Sequence, residues 1–402
     1  MSVQVVEGGN AAVTSRYSAV MMNTFGLPKR VFVRGEGSYL WDADGRRYLD
    51  LLAGLAVNAL GHAHPQVLGA ISSQLSTLGH VSNFFATPTQ VALAERLAAI
   101  TVANAPQTSA RVFFTNSGTE ANEAGFKITR LTGRRKLIAM EGSFHGRSLG
   151  ALALTSNPKY REPFEPLPGE VLFVPYGDAD ALAAALDDTV AAVIIEPVQG
   201  ENGVVEPPSG FLTRARELTR AAGALLWIDE VQTGIGRCGD WLASTSSGIT
   251  ADLVTYAKGL GNGFPIGACV ATGPAADLLQ PGSHGTTFGG NPVAAAAGLA
   301  VMSIIERDGL LQRSVELGER LASAVSALGH PGIVTVRGRG LLRGIVLAAP
   351  IAAAVADLAL EAGFVINAPR PDVLRIAPPL VVPAQGLDDF VAALPGLLEA
   401  AT

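Results

Sequence analysis

Short apolar runs punctuate this chain, and most give way to a polar or glycine-bearing stretch and then to a segment of helical period. Val112-Phe113-Phe114-Thr115 predicts a strand and residues 118–131 a helix; further strands are expected near Leu137, Val171, Val193, Leu225, Val254 and Ala268, with helices around Asp180 and Phe211 among them. Strands that alternate with helices predict an α/β fold with a mostly parallel sheet covered on both faces. Before this region, residues 1–30 read as irregular. Two short strands then flank the turn Asp42-Ala43-Asp44-Gly45, and helices follow from Pro65 to about Leu78 and from Pro88 to about Ile100, each with proline near its start. After it, a long helical region runs from about Asn291 through Leu311 to Leu328. Strands at 333–336, 341–346 and near Val373, a helix near Ala353 and a last helix after Pro383 predict a smaller α+β domain shared with the N-terminal hairpin. The expected division is residues 1–55 as a segment contributing to the small domain, 56–305 as the large domain and 306–402 as the rest of the small one.

At 402 residues the chain exceeds one ordinary core, and its 48% hydrophobic and 16% charged content leaves ample apolar material for a large interior. No apolar run reaches the length of a membrane span, and the N-terminus lacks a basic segment followed by an apolar one, so a soluble cytoplasmic protein is expected. The net charge of −6 without a basic run argues against a nucleic-acid partner. Cys238 and Cys269 give neither a disulfide framework nor metal spacing, and His62 and His64, two apart beside a proline, fit a loop role better than a metal site. No metal is expected. Lysine is scarce: Lys29, Lys127, Lys136, Lys159 and Lys258 are the only ones.

The chemistry concentrates where two apolar strands end. One, 224–228, runs into Asp229 and Glu230; the other, 253–256, runs into Ala257-Lys258-Gly259. Such strand ends are where an α/β sheet places its ligands. The pair reads either as a buried salt bridge beside a glycine loop or as catalytic. Asn116-Ser117-Gly118-Thr119-Glu120 joins a strand to a helix, with Ser117 and Glu120 spaced as a capping box. The same geometry offers free N–H groups to an anion, and without a dinucleotide or nucleoside-triphosphate motif a single phosphate fits it best. A phosphate cradle, a lysine able to form a Schiff base and a carboxylate past an apolar strand together suggest pyridoxal phosphate. Asp229 is the better ring-nitrogen partner than Glu230, Gln232 is placed to donate to the ring oxygen, and Phe144 is either a stacking ring or a core aromatic.

Asn-Ser-Gly-Thr-Glu-Ala-Asn-Glu-Ala from Asn116, Phe144-His145-Gly146-Arg147, Glu-Pro-Val-Gln-Gly-Glu from Glu196, Asp-Glu-Val-Gln-Thr-Gly from Asp229, the Lys258 loop and Gly-Thr-Thr-Phe-Gly-Gly-Asn-Pro from Gly285 occur in the order typical of class-III aminotransferases. The chain resembles that class over nearly its whole length. Within it the chain is most similar to the acetylornithine aminotransferases of bacterial arginine biosynthesis, through residues 58–62, 144–147 and 374–379. The resemblance implies a fold-type-I homodimer, with a large domain built on a seven-stranded sheet and active sites shared between subunits. By position it makes Lys258 the Schiff-base lysine, Asp229 the partner of the pyridine nitrogen and Gln232 a neighbour of the ring oxygen. Ser117, Gly118 and Thr119 would hold the phosphate, joined by Thr287 of the other subunit. Phe144, His145 and Glu196 would lie about the ring, and Arg147 and Arg375 would bind substrate carboxylates. Phe25 falls where many relatives carry a tyrosine near the substrate.

The implied reaction is a ping-pong exchange: N-acetylornithine gives its terminal amine and becomes N-acetylglutamate semialdehyde, then 2-oxoglutarate takes the amine and becomes glutamate. Rivals are other ω-amine donors (ornithine, succinylornithine, 4-aminobutyrate or N-succinyl-diaminopimelate), an aminomutase or racemase, and an inactive homologue. An arginine beside the cofactor suits glutamate but faces methylenes in acetylornithine, and an unpaired charge is costly in a closed site. Glu201 is therefore expected to pair with Arg375 until a dicarboxylate enters.

Overall fold

A computed structural model describes residues 8–402. Its centre is a seven-stranded sheet in the order Ala110–Thr115, Gly267–Thr272, Leu253–Tyr256, Leu225–Asp229, Val190–Ile195, Lys136–Met140, Glu170–Val174. Gly267–Thr272 runs antiparallel to both of its neighbours and the other pairings are parallel, so the remaining strands share one direction. Every residue of Val190–Ile195 is buried, as a strand covered on both faces requires. Trp227 is fully buried and packs beneath Gly125 of the helix Gly118–Arg130, where any side chain on residue 125 would collide with the indole.

Two smaller sheets flank this core. Phe32–Glu36, Tyr39–Asp42 and Arg47–Asp50 form an antiparallel set that is completed by Phe364–Val365, lying parallel to Arg47–Asp50. Ile333–Arg339, Leu342–Leu347, Val373–Ile376 and Asn367–Arg370 form an antiparallel sheet in that order. The N-terminal hairpin and the C-terminal elements are thus hydrogen-bonded to one another.

The irregular reading of residues 1–30 is corrected by a helix at Gly9–Val20. It buries none of its residues, so it has no apolar stripe for a periodicity argument to find. It is tied down instead by Asn10, whose amide donates to Asp42 Oδ2 (3.0 Å) and Asp44 Oδ2 (2.7 Å). The long helical region after Asn291 is two helices, Pro292–Arg307 and Leu310–Ala327, separated at Gly309, whose φ of 62° takes the chain out of the first helix. Cys238 and Cys269 are free and buried, and burial pushes both thiols up to about 12. Among the described residues no helix is long and apolar enough to cross a membrane.

Candidate active site

The parallel strands deliver their C-terminal ends to one cavity of about 390 Å³. Ser117, Gly118, Thr119, Phe144, His145, Arg147, Glu196, Glu201, Asp229, Gln232 and Lys258 all line it, gathering most of the residues singled out in the sequence. Arg375 does not line the cavity itself but is bonded to Glu201 and Gln232, which do.

Asp229 ends its strand with both oxygens engaged. Oδ1 accepts the N–H of Val231 (2.9 Å), while Oδ2 accepts His145 Nδ1 and Asn122 Nδ2, both at 2.8 Å. Donors on both oxygens fix the carboxylate's orientation, and Oδ1, with a single donor, keeps acceptor capacity for another. His145 Nε2 and Asn122 Oδ1 are buried without a partner. The neighbouring carboxylate, Glu230, does not line the cavity. It accepts from Ser244 Oγ (2.7 Å), Ser244 N (2.9 Å), Ala243 N (3.1 Å) and the Thr233 hydroxyl, and so secures the 243–244 loop.

Ser117 caps the helix Gly118–Arg130 by accepting the N–H of Glu120 (3.3 Å). The expected capping box closes differently: Glu120 reaches back past Ser117 to the N–H of Asn116 (2.9 Å) and to its side-chain amide (2.8 Å). The first-turn N–H groups of Gly118 and Thr119 keep no intrahelical acceptor. Gly118 is glycine because a Cβ there would come within 2.6 Å of Val231 Cγ1, so the close approach is to the Asp229 loop. Thr119 Oγ1 meets Ser148 Oγ (2.7 Å) and ties the helix to the segment that follows Arg147.

Lys258 follows Leu253–Tyr256 with a left-handed φ of 45°, a conformation that costs a non-glycine residue on the order of 1–3 kcal/mol and clusters at functional sites. Burial lowers its amine below the usual lysine value, against the opposing pull of Glu201. Burial drives the Glu196 carboxyl well above the usual range, with Asp229 adding to the shift, although Glu196 Oε1 accepts the N–H of Phe144 (3.0 Å). Burial would also raise Glu201, but the Arg375 guanidinium and then Lys258 outweigh it and hold the carboxyl below its usual value. Arg375, only 1% exposed, donates through Nη1 to Glu201 Oε1 (2.6 Å) and Gln232 Oε1 (3.2 Å) and through Nε to Asn367 Oδ1 (3.1 Å); its Nη2 is buried without a partner. Arg147 is exposed at the mouth, its guanidinium 3.6 Å from the Tyr160 ring centroid and 5.6 Å from that of Phe144.

Residues 22–398 match the family model for aminotransferase class-III. The chain belongs to the class-III aminotransferases. This aminotransferase is 56% identical over 391 residues to the acetylornithine aminotransferase of Mycobacterium tuberculosis (strain ATCC 25618 / H37Rv), covering 97% of each chain. It is also 56% identical over 393 residues to that of Streptomyces coelicolor, covering 98% of this chain and 96% of the relative. Among solved structures it resembles the ornithine aminotransferase of Toxoplasma gondii ME49 (TM-score 0.91, 30% identity, 97% and 95% of the two chains). The acetylornithine aminotransferase of Elizabethkingia anophelis superposes with a TM-score of 0.85 at 29% identity, over 98% and 100% of the two chains.

Two of the expected site residues are not brought to this aminotransferase's cavity within one chain. Phe25 is 91% exposed and does not line it. Thr287 is exposed and lines a separate depression with Asn83, Phe84 and Gln90. His62 Nε2 donates to Asp50 Oδ2 at 2.7 Å, in keeping with a loop role. Sequence reasoning missed Asn122 and Asn367. The signal for Asn122 was an amide in the buried stripe of a helix that also buries Ala121, Ala124, Gly125, Phe126, Ile128 and Thr129.

Proposed function

We propose that the protein is a homodimeric, cytoplasmic acetylornithine aminotransferase that uses pyridoxal phosphate to move the terminal amine of N-acetylornithine to 2-oxoglutarate. The observation that carries this reading is the buried Arg375, paired with Glu201 beside Lys258 yet keeping one guanidinium nitrogen free. A site serving only ω-amines has no use for that arginine. A site serving only α-amino acids has no use for Glu201. The 56% identical acetylornithine aminotransferases support the choice of donor.

The residues present fit the cofactor. The uncapped N–H groups of Gly118 and Thr119 suit its phosphate, Phe144 its ring face, and the spare acceptor capacity of Asp229 its ring nitrogen. When bound, pyridoxal phosphate supplies an aldehyde that condenses with amines and a ring that takes up electron density from the carbon being deprotonated. Asp229, oriented by His145, Asn122 and the Val231 N–H, holds the proton on the ring nitrogen. Lys258, whose amine burial lowers, lines the cavity and would take a proton from the reacting carbon and carry the 1,3 proton shift on that same face. Such positioned proton transfer is worth roughly 100- to 10,000-fold. In this reading Thr287 serves the phosphate of the partner's site.

With acetylornithine bound, Glu201 keeps Arg375 neutralised and Arg147 holds the remote carboxylate. With glutamate or 2-oxoglutarate, Arg375 turns to the α-carboxylate and Arg147 takes the distal one. Glu201→Ala is therefore expected to slow the acetylornithine half-reaction about 10- to 100-fold more than the glutamate half-reaction, as an unpaired buried charge would dictate, and Arg375→Ala to do the reverse. Single-turnover spectra of each half-reaction read this directly; equal losses in both halves for both variants would rule out the exchange.

The reading as a whole is tested by assaying N-acetylornithine, ornithine, N-succinylornithine and 4-aminobutyrate, each with and without 2-oxoglutarate. N-acetylornithine should give the highest kcat/KM, and only when 2-oxoglutarate is present. Turnover without an acceptor would point to a mutase or racemase, and a preference for another donor would replace the assigned substrate.

A further inference from the structure

Arg375 sits at the junction of two sheets, and its contacts divide accordingly. Glu201 follows the strand Val190–Ile195 and Gln232 follows Leu225–Asp229, so both sit on loops that leave the large sheet. Asn367 belongs to the same small sheet as Arg375: the two residues are direct cross-strand partners of Asn367–Arg370 and Val373–Ile376. The backbone register that sets the Asn367 side chain beside Arg375 Nε is thus independent of whatever Glu201 does.

We propose that Asn367 is the pivot about which Arg375 exchanges Glu201 for a substrate carboxylate, a positioning residue that favours substrates with a carboxylate next to the reacting carbon. This inference rests on the reading that Arg375 makes that exchange. A buried guanidinium that releases its carboxylate needs one contact that does not move, or it follows the released partner. Asn367 Oδ1 supplies such a contact at 3.1 Å on Nε. As a neutral acceptor it holds the group without cancelling its charge, so the attraction for an incoming carboxylate survives. Holding Nε leaves Nη1, now on Glu201, and the unpartnered Nη2 to swing together as a two-pronged donor. While Glu201 and Gln232 hold Nη1, Asn367 adds little to the anchoring; once Glu201 lets go, Asn367 is the contact that holds Nε from Arg375's own sheet.

Asn367→Ala and the near-isosteric Asn367→Asp test this in the cofactor-loaded enzyme, with thermal melts to confirm folding. Glutarate, which has the carboxylates of 2-oxoglutarate but no reactive carbonyl, reports binding by calorimetry without turnover. Asn367→Ala should raise the glutarate Kd and the 2-oxoglutarate KM about ten-fold, the worth of one hydrogen bond to a charged group, while the KM for N-acetylornithine moves less than two-fold. Asn367→Asp should weaken glutarate further still, because a second carboxylate competes for Arg375. A glutarate Kd within two-fold of wild type in both variants, or equal losses for donor and acceptor, overturns the pivot. Arg375→Ala is measured in parallel. If it too leaves glutarate binding intact, the exchange itself has failed and the pivot with it; if it weakens glutarate while Asn367→Ala does not, the pivot alone has failed.

Discussion

Lys258→Ala is expected to abolish transamination of every donor. The amine is the basic group of the cavity that burial lowers toward neutrality, and no hydrogen bond among the described residues holds it. Its removal takes away both the covalent anchor for the cofactor and the proton carrier, and the proton transfer alone is worth roughly 100- to 10,000-fold. Lys258→Arg should be equally inactive, because a guanidinium stays charged and cannot act as a nucleophile. Borohydride reduction followed by mass spectrometry separates the anchor from the turnover: wild type should retain a pyridoxyl group on the peptide bearing Lys258, and both variants should lose it. The fold should hold, since residue 258 keeps a Cβ and its left-handed backbone in either replacement. A Lys258→Ala enzyme with normal turnover would end the proposed chemistry altogether.

Asp229→Asn is expected to be the next most damaging change. A fixed charge aimed at a reacting group in a closed site is worth about 100- to 1,000-fold. The amide has one acceptor oxygen where the carboxylate has two. If that oxygen stays on His145 and Asn122, the amide nitrogen faces the N–H of Val231. The cost of that mismatch is about 1–3 kcal/mol, so a modest fall in melting temperature should accompany the loss of rate. Cofactor retention after dialysis should be weaker as well. A variant keeping most of its activity would make Asp229 a structural residue. Glu196 would then be the carboxylate to test, because Glu230 is committed to Ser244 and Ala243.

The strands of the large sheet were legible because their apolar runs are short, bounded and regularly spaced with helices. The helix Gly9–Val20 was not, because it buries nothing and depends on Asn10 reaching Asp42 and Asp44. Asp229 and Lys258 could be picked out together because each ends an apolar strand, and parallel strands place such ends side by side. The contact between Asn122 and Asp229 could not, since it joins residues 107 apart in the chain through a helix face and a strand end whose register is set only by the assembled sheet. Asn367 was hidden for a related reason. Its strand has four residues with a register irregularity, too few for alternation to declare which residue faces Arg375. For Phe25 and Thr287 the resemblance named positions that one chain leaves outside its own cavity.

The two buried cysteines make the protein its own stopwatch. With their thiols pushed to about 12 and shut away from solvent, neither Cys238 nor Cys269 offers a thiolate to an alkylating reagent while the chain stays closed. Labelling then counts openings rather than reactivity. Cys269 lies within Gly267–Thr272, hydrogen-bonded on both sides, and is uncovered only when the large sheet comes apart. Cys238 sits in a loop against Gly340, beside the point where Arg237 donates to the carbonyls of Leu341 and Pro378, and is uncovered when the C-terminal sheet lifts away. The ratio of the two labelling rates in mild denaturant therefore measures how much more often the small sheet detaches than the whole molecule unfolds.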